Sequence, residues 1–255
     1  MKDLSRELQV FTDGDLFEPG AHFHLFGKIS ADLYPSLFTL ECMKLKDSAV
    51  TRLMNSKTIK IQHAGSCVAY GKISDVFRQT TPEGTVTTVA FSPNMDLWEP
   101  LVSLSVEAGV SVSETVRRIL EASGTGIQLL SFPGEDKIIT RAQAFCNRTA
   151  ECISEALSAV SSKAYLVPAG LCIIPKDPLT ATLHLTAKDL TDIPMLADRG
   201  NKLILSTIMA GFQPGEEMTL TANGNTYAGI ILERMVDADS VSGPWKTQLL
   251  IELHR

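Results

Sequence analysis

The sequence predicts a β-rich α+β fold in which two antiparallel β units flank an α/β insert. Three observations carry this. Short runs of alternating apolar and polar residues fill positions 23–91 and return from about 181 to the end; helical periodicity appears only between them; and Gly, Pro and Asn-Gly punctuate the runs where chain reversals are needed.

In the first region the strand-like runs are "HFHLFGKI", "LFTLECMKL", "KTIKIQH", "SCVAYGKISDVFRQ" and "TVTTVAFS". Pro82 and Gly84, in "TTPEGT", supply a turn between the last two. The second region, from about Asp96 to Asp177, brings the helices. In "SVSETVRRILEASGTG", Ser111 stands three residues before Glu114 as a capping box, Val112, Val116, Ile119 and Leu120 share one face, and Gly124 follows as a stop. A second helix is expected in "TAECISEALSAVSSK", with Ile153, Ala156, Leu157 and Val160 on one face and Thr149 as N-cap. "AYLVPAGLCIIP" then reads as two short strands turning at Pro168-Ala169-Gly170.

The third region returns to strands: "TATLHLTAKD" with Leu183 and Leu185 on one side, then "NKLILSTI", "GEEMTLTANG", "TYAGIILERMV" and "WKTQLLIEL". Pro214-Gly215 and Asn223-Gly224 mark turns, the latter a tight-hairpin signal. The expected divisions fall at 1–95, 96–180 and 181–255.

Composition narrows the function. With 255 residues, 44% of them hydrophobic, the chain can bury a substantial core. A net charge of −6 and the lack of a basic cluster interleaved with aromatics argue against direct sequence-specific nucleic-acid binding. The opening "MKDLSRELQV" alternates charges, and no run approaches the roughly 18 apolar residues of a membrane span, so the chain is expected to be made and folded in a cytoplasm. Cys42, Cys67, Cys146, Cys152 and Cys172 are widely spaced with no C-x-x-C pair, and signal neither a zinc site nor a disulfide framework. Cys146 and Cys152, six apart around the start of the second helix, lie nearer to opposite sides than to one face, which argues against a joint redox role.

Two features suggest metal ligation. The stretch Asp237-x-Asp239-Ser240-x-Ser242-Gly243 reads as a loop with ligands at alternate positions, but a calcium loop needs Gly at position six and Glu at twelve, where Ser242 and Gln248 stand. It is read instead as the turn of a terminal hairpin. His22 and His24 project from one face of a strand, with no third ligand evident, and are equally explained as solvent-facing neighbours of core-facing Phe23 and Leu25. No nucleophile elbow, zinc-binding helix or phosphate loop occurs. Glu114, Glu121, Glu151 and Glu155 are assigned to capping and solvating helices. No catalytic residue, cofactor site or metal ligand is assigned.

The pieces "LFTLECMKLKDSAVTRLMNSKTIKIQHAGSCVAYGKISDVFRQ", "VSVSETVRRILEASG", "GLCIIP" and "LILSTIMAGFQPGEEMTLTANGNTYAGIILERMVDADSVSGPWKTQLLIEL" carry a resemblance in their order and texture. Over roughly Phe23 to Leu253 the chain resembles the baseplate or tail-tip hub proteins of tailed bacteriophages and contractile injection machines, including the phage late-control protein D family. Gly65 and Gly71 around a strand, Gln213-Pro214-Gly215 leading into another with Glu216 where an Asp is common, and Trp245 and Thr247 in the closing hairpin match the family pattern.

The resemblance implies two tail-tube-like antiparallel β-barrel or sandwich domains at 1–95 and 181–255 around the insert at 96–180. It also implies a homotrimer whose six β domains form a ring joining a sixfold tail tube to a threefold spike. The implied partners are further copies of the chain, a tail-tube or distal tail protein and a spike or central tip protein, with the tape-measure protein a candidate addition. The implied setting is a virion tail assembled in the host bacterial cytoplasm, and the implied role is structural, without enzymatic activity or cofactor. The alternatives from other classes are a tail-associated cell-wall hydrolase and a cytoplasmic binding module of OB- or SH3-like β units.

Overall fold

The computed structural model describes residues 6–82, 84–132, 136–174, 183–208 and 211–254. The first region forms β1 (Gln9–Thr12), β2 (Asp15–Phe17), β3 (Phe23–Ser30), β4 (Phe38–Met43), α1 (Asp47–Asn55), β5 (Thr58–His63), β6 (Ser66–Thr81) and β7 (Gly84–Ser92). The insert follows with α2 (Met95–Trp98), β8 (Leu101–Val106), α3 (Val112–Ser123), β9 (Leu129–Ser131), β10 (Gln143–Arg148), α4 (Thr149–Ser158), β11 (Lys163–Val167) and β12 (Gly170–Ile174). The last region holds β13 (Leu183–Thr186), β14 (Met195–Ala197), β15 (Lys202–Ile208), β16 (Glu217–Ala222), β17 (Asn225–Asp239) and β18 (Trp245–Leu253).

The chain is thus β-rich α+β, as the alternating patterns require. All five strand runs expected between Phe23 and Phe91 are present, but the same stretch also contains α1. Its buried Ala49, Val50 and Leu53 take i, i+1, i+4 spacing, a face too short to stand out between strands. The β1–β2 hairpin and the β8–β10 ribbon were likewise not expected.

Helix α3 runs over the expected residues, with Gly124 at φ 68° past its end and Val112, Val116, Ile119 and Leu120 buried. Only half of its capping box forms: Ser111 Oγ accepts from the Glu114 N–H, while the Glu114 carboxylate turns outward to Arg118. A complete box forms instead at Thr186 and Asp189, on a 3₁₀ turn. Thr149 is not the N-cap of α4; Arg148 occupies that position, and the Thr149 hydroxyl donates to the carbonyl of Pro100.

Thirteen strands join in one sheet among the described residues, along the path β14-β15-β18-β17-β3-β4-β7-β6-β5-β1-β2, with β16 on β17 and β13 parallel to β16. Asn223 and Gly224, both at positive φ, make the predicted tight turn between β16 and β17. Three cores lie along the chain. One gathers β1–β7 and α1 around Phe17, Phe38, Leu53 and Phe91; the second gathers α3, α4 and the insert strands around Ile119, Phe145 and Ile153; the third gathers Leu203, Leu220, Leu249 and Ile251.

The long strand β17 links the first core to the third. Its first half pairs with β16 and buries Ile231 in the third core. A bulge between Ile231 and Glu233 then shifts the alternation, so that Val236 and Ala238 enter the first core as β17 pairs with β3. The expected division at 95/96 falls in α2, and that at 180/181 lies outside the described residues.

Candidate functional site

The histidines and aspartates that the sequence offered as two separate features meet on one face of the sheet. Phe23 and Leu25 are buried, as their parity predicts, which turns His24 to the opposite face. There the β4–β3–β17 register sets Glu41 on one side of His24 and Asp239 on the other. His24 Nδ1 lies 3.2 Å from Glu41 Oε2 and its Nε2 3.0 Å from Asp237 Oδ1, while His22 Nε2 lies 3.0 Å from Asp239 Oδ1. Asp237 and Asp239 therefore belong to β17 rather than to a loop, and the partners that His22 and His24 lacked in the sequence come from β4 and β17. Among the described residues no group of three or more His, Cys, Asp or Glu is arranged to hold a metal ion.

The turn between β17 and β18 is held by hydrogen bonds of its own. Asp239 Oδ1 accepts from the N–H groups of Val241 and Ser242, each at 2.8 Å, an Asx turn. Ser240 Oγ accepts from the Phe23 N–H, and the Ser240 N–H donates to the Phe23 carbonyl, which pins the turn to the start of β3. Arg6 donates to the Gly243 carbonyl and lies over the Trp245 ring, which also meets the His63 ring in a T-shaped contact. Burial pushes the Asp239 carboxyl up, but the N–H bonds from Ser242 and Val241 and the contact with His22 outweigh it and leave the group below its ordinary range.

A second polar centre lies where the three cores meet, and sequence reasoning missed it. Arg234 is 1% exposed and donates to the carbonyls of Val68 on β6 and Phe212 ahead of β16, both at 2.5 Å. Burial lowers its guanidinium to about 10, which still leaves it charged at neutral pH. Burial also raises the Glu216 carboxyl, against the N–H bond from Gln213 and the charge of Arg234. Residues Gln213–Glu216 form the expected Pro-Gly turn, closed by Glu216 N–H to Gln213 O, with Gly215 at φ 88°. The Tyr165 ring of the insert packs directly on Gly215, and Tyr70 on β6 donates to the Leu166 carbonyl.

The remaining expected residues are dispersed. Gly65 makes the β5–β6 turn at φ 79°; Gly71 lies inside β6, not at a strand start, where a side chain would meet the Ser92 carbonyl. Cys146 is exposed on β10 and Cys152 buried on α4, and none of the five cysteines is in a disulfide. Glu121 and Glu155 are exposed and Glu151 sits in the first turn of α4. Thr247 is buried on β18 opposite Thr207. A groove of about 560 Å³ runs between β5–β6 and the insert, lined in part by Ile59, Tyr70, Ile127, Leu166 and Pro168. Among the described residues no helix is long and apolar enough to cross a membrane.

Neither a protein-family model nor a curated protein matches the sequence. Compared with solved structures, the architecture is that of bacteriophage tail proteins. It superposes on a tail protein from Neisseria meningitidis with a TM-score of 0.70 at 9% identity, over 96% of each chain. The 43 kDa tail protein of prophage MuSo2 from Shewanella oneidensis gives 0.70 at 10% identity, over 98% of this chain and 97% of that one. An Escherichia coli component of the type VI secretion system, structurally similar to the T4 tail proteins gp27 and gp5, gives 0.67 at 10% identity, over 97% and 77%. At these identities the likeness establishes a shared fold.

Proposed function

We propose that the chain is a structural hub at the distal end of a phage tail or a phage-derived injection machine. In this reading it forms a trimeric, pseudo-sixfold ring that joins the sixfold tail tube to the threefold spike. The observation that carries the proposal is the end-to-end match to whole tail proteins, 96% of each chain in one case, rather than to one shared module. Residues 1–95 and 181–255 would supply two tube-like β domains per chain and 96–180 the insert between them. Its partners are then two further copies, a tube or distal tail protein above and a spike or tip protein below, with the tape-measure protein as a candidate in the lumen. Its place is the virion tail, assembled in the bacterial cytoplasm, and its work is mechanical rather than enzymatic.

The ends of the sheet support a ring. β2 and β14 close the strand path, and they are finished differently. Arg52 donates to the carbonyls of Asp15 and Leu16, shielding β2, whereas Ile193, Met195 and Leu196 leave the β14 end apolar and exposed at 83%, 58% and 56%. An open apolar edge favours association, and a closed ring buries such edges without further growth. Absolute molar mass by light scattering across a concentration series tests the proposal. Three times the chain mass supports the hub, and a monomer at every concentration, including mixtures with a cognate tube protein, refutes it.

A further inference from the structure

Both ring nitrogens of His24 face carboxylates, Glu41 through Nδ1 and Asp237 through Nε2. A neutral imidazole carries one N–H, so it can donate to one of these and must turn a lone pair toward the other; only the imidazolium donates to both. From this geometry we propose that His24 is a charged clamp that fastens β4 to β17 across β3, so that the joint between the first β unit and the terminal hairpin is tightest when the imidazole is protonated.

The surroundings favour the charged form. Around His24 stand Glu41 from β4 and Asp237 and Asp239 from β17, with His22 beside Asp239. By register Lys246 on β18 stands opposite Asp237, Lys28 lies four residues further along β3 and pairs with Glu233, and the β7 residue opposite Glu41 is the uncharged Thr88. Burial lowers the affinity of His24 for its proton, but the hydrogen bonds to Asp237 and Glu41 and their charges outweigh it, leaving the group raised. The clamp joins residues 17 and 213 positions apart in sequence, so its release opens a long-range contact rather than a local turn.

The sign follows from linkage. A histidine raised in the folded state stabilises fully below its unfolded value of about 6.5 and loses that contribution as pH rises through the folded value. Heteronuclear NMR titration of the full chain tests the charge directly: both ring nitrogens of His24 should remain protonated above pH ~6.5. In parallel, melting temperature is followed from pH 6 to 8.5 for the native protein and His24→Gln, with His22→Gln as a control for a second histidine on the same face. The native protein and the control should lose melting temperature with rising pH, and His24→Gln should lose distinctly less. His24 titrating at or below ~6.5, or a His24→Gln slope equal to the native one, overturns the clamp. If the variant does not fold, the NMR titration of the native protein decides alone.

Discussion

Gly215→Ala tests how the insert is held to the last β unit. Gly215 sits at φ 88°, a conformation that costs a residue with a Cβ about 1–2 kcal/mol. The added methyl would also lie 2.4 Å from Tyr165 Cε1 and 2.6 Å from Cδ1 and Cζ, well inside contact. These atoms form the body of a ring rather than the free end of a chain, so they yield only if the ring and the β11–β12 hairpin shift. Overpacking of this kind costs about 1–3 kcal/mol, giving about 2–5 kcal/mol in total. Tyr165→Ala removes the obstacle and leaves only the backbone part, so Gly215→Ala in that background should cost about 1–2 kcal/mol. The four proteins of this cycle, followed by urea unfolding, should then show a coupling of about 1–3 kcal/mol. Equal costs of Gly215→Ala in the two backgrounds would refute the contact as the link between insert and β unit.

Three further outcomes are expected. Asp239 is depressed in the folded state, so its contribution is present above the ordinary Asp value of about 3.9 and is lost as pH falls through the folded value. Asp239→Asn should therefore flatten acid unfolding below about pH 3.9, and an unchanged acid limb in circular dichroism would show that the turn does not depend on this charge. Adding calcium or a chelator should leave the native melting temperature in place, because the Asp239 oxygens are engaged by Val241, Ser242 and His22; a chelator-sensitive melt would make the turn a metal site. Ser111→Ala should cost about 1 kcal/mol of stability by loss of the α3 cap, read from the unfolding midpoint, and an unchanged midpoint would show the cap to be idle.

What the sequence reveals and what it hides divide along physical lines. Alternation in "LFTLECMKL", the Asn223-Gly224 turn and the Ser111 cap depend on neighbours within a few residues, and each is found where local pattern places it. Helix α1 escapes because its three buried residues lie within one turn and a half. The polar centres escape for a different reason. In "ERMVDAD", Arg234 shares the parity of Val236 and Ala238, and this was a readable sign that its side chain points into the core. By the same parity Asp237 and Asp239 face outward together, as do His22 and His24.

What no local pattern supplies is the choice of β17 as the partner of β3, across more than 200 residues of chain. A bulge within β17 goes with that pairing. It lets one strand leave the third core and enter the first, and so brings His22 and His24 against Asp237 and Asp239 and carries Arg234 to the carbonyls of Val68 and Phe212. The first and third cores are therefore not independent beads. A strand common to both, with the buried Arg234 just past its bulge, ties them into one continuous sheet.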